Sequence, residues 1–117
     1  MAKIEKFEDI VSWQKAHELT IEIYKSFKKC NDYSFRDQIQ RASISIMNNI
    51  AEGFDRSGDK QLKNFLYIAK GSCAEVRSML SVAPELGYIT ELNKISLEST
   101  TISITKLLNG FIGKLDK

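Results

Sequence analysis

Apolar residues recur at three- and four-residue steps through four stretches of this chain, and the breaks between stretches are only a few residues long. That pattern limits the possible folds more than any other feature. From about 9 to 29, Trp13, Ala16, Thr20, Ile23, Tyr24 and Phe27 keep helical spacing, while Lys15, Glu18, Glu22, Lys25 and Lys29 take the far side. Asn31-Asp32-Tyr33 interrupts the period, and Ser34 is placed to cap a second helix over 35–53 with the core line Ile39, Ala42, Ile46 and Ile50, ending near Gly53. Ser57 or Asp59 can start a third helix over 58–86 carrying Leu62, Phe65, Leu66, Ala69, Cys73, Val76, Leu80 and Ala83, with Gly87 as its stop. Pro84 removes one backbone bond and presses on the carbonyl of Leu80, which predicts a kink or an early end. Thr90 caps a fourth helix over 91–115, through Leu92, Ile95, Ile102, Leu107 and Phe111. Six glycines and one proline leave little punctuation for hairpins. Short connections make consecutive helices antiparallel, so residues 1–117 are expected to form a single all-α domain, an antiparallel up-down-up-down four-helix bundle.

The fourth helix holds two apolar stripes where one bundle core absorbs one. Leu97, Ile104, Leu107, Phe111 and Leu115 form the first. Leu92, Ile95 and Ile102 lie roughly opposite, with Ser96, Ser99 and Ser103 between them. Either the helix is touched on both sides by its own neighbours, or the second stripe is an intersubunit surface, as exposed apolar patches often are.

Several function classes find no support in the residues. The glycines and lysine of Gly53-Phe-Asp-Arg-Ser-Gly58-Asp-Lys60 resemble a phosphate loop in spacing only: Gln61 stands where magnesium would need a hydroxyl, and no strand precedes. His17 is the only histidine, which leaves a metal cluster or a histidine-dependent base without a second imidazole. Cys73 falls on a core line, Cys30 has no ligand partner at useful spacing, and Asp55 and Asp59 read as loop and helix-start acids. No enzyme, metal or cofactor is expected. No apolar run approaches the roughly 20 residues that cross a bilayer, and Met1 to Lys6 lacks the apolar middle of a secretion signal, so no membrane role and a cytoplasmic location are expected.

Two polar lines remain. Arg41, Ser45, Asn48 and Glu52 follow steps of four, three and four on the side of helix two away from its core, as a solvated face or as a specific polar interface. Lys63, Lys70 and Arg77 repeat every seven residues along helix three, with Lys60 and Tyr67 beside them. Such a row can neutralise successive phosphates, although a net charge of only +2 requires any basic patch to be local.

Read as strings, Val11-Ser-Trp-Gln-Lys-Ala16, Gln38-Ile-Gln-Arg-Ala-Ser43, Asn49-Ile-Ala-Glu-Gly53, Phe65-Leu-Tyr-Ile-Ala-Lys-Gly-Ser72 and Glu85-Leu-Gly-Tyr-Ile89 closely resemble the four-helix-bundle proteins encoded in intervening sequences of bacterial 23S rRNA genes. The resemblance extends to the accessory variability proteins of diversity-generating retroelements, and it implies a homopentamer that binds nucleic acid. It marks Trp13, Gln14, Lys15, Arg41, Ser43, Asn49, Glu52, Gly53, Arg56, Ser72 and Glu75, several of them as residues that hold the fold together. Where that family commonly has a proline and a glutamate before helix two, this chain has Cys30-Asn-Asp-Tyr-Ser34. The strong positive charge of the retroelement proteins is missing. The expected function is therefore a non-enzymatic homo-oligomer binding structured RNA or DNA through repeated basic edges. The alternative is a scaffold that receives a protein partner on the polar row or on the second apolar stripe.

Overall fold

The computed structural model describes residues 3–56 and 58–116, so Ser57, one of the two expected starts of the third helix, lies outside the described residues. After a 3-10 turn at Phe7–Asp9 come α1 (Val11–Ser26), α2 (Tyr33–Asp55), α3 (Asp59–Val82) and α4 (Glu91–Leu115). Each helix packs on its neighbours in the chain, and α1 closes the square against α4. Cross-links between helix ends fix the directions. Asn93 at the start of α4 donates to Ser26 at the end of α1 (2.9 Å), and Lys63 near the start of α3 meets Asp116 just past the end of α4. The body measures 44 × 21 × 19 Å, and a helix of 25 residues rises about 37 Å, so α4 spans most of its length. Among the described residues no helix is long and apolar enough to cross a membrane.

The core is one continuous column. Ala16, Leu19 and Ile23 of α1 and Phe27 at its end meet Ile39, Ile46 and Ile50 of α2, Leu66, Ala69, Val76 and Leu80 of α3, and Ile104 and Leu108 of α4, all fully buried. Each such aliphatic side chain contributes about 1.5–3 kcal/mol by leaving water. Two helical faces sit slightly rotated from expectation. On α1 the buried line is Ser12, Ala16, Leu19 and Ile23, whereas Thr20 is half-buried and Tyr24 exposed. On α4 the buried line is Leu97, Thr101, Ile104, Leu108 and Ile112, with Leu107, Phe111 and Leu115 only partly covered. Adjacent apolar pairs, Leu107-Leu108 and Phe111-Ile112, leave the seam ambiguous in sequence. Thr101 is polar at a core position because its hydroxyl donates to the Glu98 carbonyl at 2.6 Å.

The helix ends follow from local chemistry. Asp32, not Ser34, caps α2: its Oδ1 accepts from the Phe35 N–H at 3.1 Å, and the helix starts at Tyr33. Its Oδ2 accepts from the Tyr88 hydroxyl at 2.6 Å, tying the α1–α2 turn to the α3–α4 connection. That bond pushes the Tyr88 pKa up to about 12 and holds the Asp32 carboxyl below its ordinary value. Thr90 caps α4 as expected, accepting from the Asn93 N–H at 3.1 Å. Pro84 does end α3 early, at Val82, yet the backbone keeps its curl. Leu86 N–H reaches Val82 O (3.1 Å), Tyr88 N–H reaches Ala83 O (2.9 Å) and Gly87 N–H reaches Pro84 O (3.0 Å). Gly87 takes φ +78°, completing a Schellman stop at the expected glycine.

Candidate nucleic-acid interface

Lys60, Lys63, Tyr67, Lys70 and Arg77 all lie on the edge of α3, but the structure does not leave them equivalent. Lys63 Nζ stands 2.6 Å from Asp116 Oδ1, and the hydrogen bond and charge of that carboxylate hold the ammonium pKa above its ordinary value. It is already engaged within the chain. Lys60, Lys70 and Arg77 have no carboxylate within ion-pair distance among the described residues. Lys70 and Arg77 border a cleft of about 410 Å³ between α3 and α4, to which Ser78 adds a hydroxyl; the Ser81 and Thr105 hydroxyls on the same lining already donate to the Ser78 and Thr101 carbonyls at 2.6 and 3.0 Å. Glu98 is the one acid on the lining, and Lys94 sits 3.7 Å from its carboxylate, which partly offsets its charge. Two cations and the Ser78 hydroxyl in a shallow cleft can hold phosphate oxygens. Tyr67, 52% exposed, lies on the same helix one turn before Lys70 and is not among the residues that line the cleft.

The polar row of α2 separates into two environments. Ser45 is not on the far face: it leans into the α2–α3 seam, where its hydroxyl meets Ser72 Oγ at 2.9 Å and accepts from Asn49 Nδ2 at 3.0 Å. Arg41, Asn48 and Glu52 remain exposed. Glu52 pairs with Arg56 one turn later at 2.8 Å, both about half-exposed, and no bond joins it to Arg41. The seam itself is the most extensive helix pairing in the bundle. Gln38 donates to Glu75 (3.2 Å) near one end, and at the other a Cβ on Gly53 would fall 2.6 Å from Phe65 Cβ. The Arg56 guanidinium lies over the Phe65 ring, 5.5 Å from its centre. Asn49, Gly53, Arg56, Ser72 and Glu75, all marked by the resemblance, thus share one helix–helix seam and act on packing.

The second stripe of α4 points outward. Leu92 is 81% exposed and Ile95 52%, while Ile102 is half-buried. Ser96, Ser99 and Ser103 on the same side are exposed, so the first half of the α4 outer face carries no charge between Leu92 and Ser103 on that strip.

The 23S rRNA-intervening sequence protein model matches residues 8–110, from the 3-10 turn through most of α4. The chain belongs to the 23S rRNA-intervening sequence protein family. The family pattern therefore covers the α2–α3 seam, the α3 basic edge and the outward stripe of α4 together. A crystal structure of a protein of unknown function from the S23 ribosomal protein family of Bacteroides thetaiotaomicron superposes with a TM-score of 0.82 at 26% identity, covering 91% of this chain and 98% of that one. No curated protein matches the chain.

Chemistry of other kinds has little to work with among the described residues, where no cluster of His, Cys, Asp and Glu could hold a metal. His17 is exposed and stacks on Trp13, ring centres 5.1 Å apart. The Cys73 thiol donates to the Thr101 carbonyl at 3.3 Å, and burial raises its pKa, which disfavours the thiolate. Ser78, Ser81 and Thr105 were not singled out from sequence. Ser81 lies one turn past Arg77 on the edge set by the seven-residue repeat and could have been found; Thr105 belongs to another helix, and only the fold brings it there.

Proposed function

We propose that this family member is a self-associating helical bundle, without catalysis of its own, that grips the backbone of a structured RNA or DNA in the cytoplasm. The observation that carries the reading is the cleft where Lys70 and Arg77, neither in an ion pair among the described residues, stand beside the Ser78 hydroxyl. One such cleft offers few contacts, and the net charge of +2 adds little steering. Repetition supplies the rest: in a ring of copies, linked weak sites act through effective concentration. The resemblance implies a pentamer, and the exposed Leu92 and Ile95 supply an apolar surface on which copies can meet.

Titration of an RNA hairpin and of duplex DNA at several salt concentrations tests this. Wild type should lose affinity steeply with salt, and Lys70→Glu with Arg77→Glu should weaken binding and flatten the slope by about one unit for each lost phosphate contact. Lys63 is left intact because its reversal would set two carboxylates together at Asp116. Absence of binding at low salt would sink the nucleic-acid reading. The scaffold reading would then stand, since the same Leu92 and Ile95 surface suits a protein partner whose binding responds little to salt.

A further inference from the structure

A second concavity lies between the beginning of α1 and the second half of α4, with a volume of about 350 Å³, within the range of small-molecule sites. Its walls are mostly hydrocarbon: Ile4, Ile10 and Val11 on one side, Leu107 and Phe111 on the other. Ile4 and Val11 are 39% and 52% exposed at its mouth, apolar surface that a ligand would cover. Gly110 also lines it, and a Cβ there would meet nothing within 4 Å, so the floor is open where a side chain would otherwise project.

Apart from Asp9, the polar groups at this groove suit an anion. Ser12 lines it, is 3% exposed, and its Oγ is the one buried side-chain polar atom among the described residues that has no hydrogen-bond partner. A native structure satisfies nearly all such atoms. Ser12 is also the second residue of α1, a 16-residue helix whose cap residue, Ile10, has no side-chain acceptor. The first bond of α1 runs from Gln14 N–H to Ile10 O at 3.0 Å. The N–H groups of Val11, Ser12 and Trp13 have no backbone acceptor among the described residues. A helix start in that condition favours negative charge. Lys106 and Lys114 flank Gly110 one turn either way on α4 and line the same groove, and neither is in an ion pair among the described residues. Asp9 is the only acid on the lining. Two lysines and one aspartate leave one positive charge, matched to a monoanion rather than to a phosphate dianion.

We infer that this groove binds a small amphipathic carboxylate, its head on the Ser12 hydroxyl and the open start of α1, its hydrocarbon along Ile10, Leu107 and Phe111. The site lies some fifteen residues along α4 from Ile95, about 22 Å, and so is separate from the outward apolar stripe. It needs no nucleic acid, so its test and that of the phosphate cleft fail independently.

Calorimetric titration of the full chain with dodecanoate below its micellar concentration, in the absence of RNA, is the direct test. Saturable binding of one dodecanoate per chain is expected. Lys106→Glu with Lys114→Glu should weaken it by about tenfold or more, since a charge-assisted contact is worth that much. Gly110→Leu should abolish it by filling the floor, with helicity unchanged because the added side chain meets open space. Dodecylammonium, equal in length and opposite in charge, should not bind. Lack of saturation by dodecanoate, equal binding of dodecylammonium, or full affinity in both variants would overturn the inference. So would adsorption to phosphatidylglycerol vesicles in place of one-to-one binding of the monomeric acid.

Discussion

Gly53→Ala tests the one glycine among the described residues where an added Cβ would clash. The added methyl would sit 2.6 Å from Phe65 Cβ and 3.2 Å from Leu62 Cδ1. Leu62 can turn its side chain away, but Phe65 Cβ is anchored to the α3 backbone, and ordinary carbon contacts need about 3.5–4.0 Å. The two helices must therefore part by about 1 Å at this end, loosening Leu62 and Phe65 against α2. Overpacking of that kind costs about 1–3 kcal/mol, and a backbone-anchored clash belongs at the upper end. Alanine is better than glycine in a helix by about 0.8–1.0 kcal/mol, which offsets part of the loss. The net expectation is about 1–2 kcal/mol of destabilisation, a fall in Tm of about 4–8 °C for a domain of this size. Gly71→Ala is the control: Gly71 is exposed within α3, with nothing within 4 Å of its added Cβ, so only the helix gain of about 0.5–1 kcal/mol should appear. Urea unfolding followed by circular dichroism, at one protein concentration for all variants, gives both values. If Gly53→Ala stabilises the protein as Gly71→Ala does, the seam is not closed by glycine and the account of α2–α3 packing is wrong.

Tyr88→Phe should lower stability by an amount that depends on pH. The Tyr88 pKa is raised to about 12, so its contribution is complete below 10 and disappears as pH rises through about 12. The Asp32 carboxyl is lowered, so its contribution is complete above 3.8 and disappears on acidification. Thermal unfolding across pH should show a constant gap between wild type and variant near neutrality that narrows at both ends; a pH-independent gap would deny the Tyr88–Asp32 bond. Ser12→Ala should raise stability by about 1 kcal/mol, because it removes a buried hydroxyl that has no partner in the free chain. A loss of stability in the same urea assay would mean the hydroxyl is satisfied.

The fold was legible because it rests on local signals. Core lines such as Ile39-Ala42-Ile46-Ile50, the Thr90 cap and the Gly87 stop are each set within a turn or two of sequence. Errors arose where two neighbouring residues compete for one role. Leu107 against Leu108 shifts the α4 seam, and Ser34 against Asp32 shifts the α2 cap, where a second acceptor bond from distant Tyr88 favours the aspartate. The candidate site was legible only in part. The seven-residue repeat placed Lys63, Lys70 and Arg77 on one edge, yet nothing in the repeat indicates that Asp116, 53 residues from Lys63, takes Lys63 out of it. Ser45 failed for a related reason: whether a residue on the border of a helical face turns to water or to a neighbour depends on where α3 approaches, and that is set by Gly53. The groove at Ser12 joins residues a whole chain apart and left no mark in any local pattern.

The proposed avidity for nucleic acid requires that copies meet through the outer face of α4. Multi-angle light scattering of wild type and of a Leu92→Glu, Ile95→Glu double variant at the same micromolar concentration measures this most directly. Both residues are exposed, so the variant should keep its fold. Wild type is expected at several times 13.3 kDa and the variant at or near one chain's mass. A wild-type monomer, or a double variant that keeps the full assembly mass, would contradict the account.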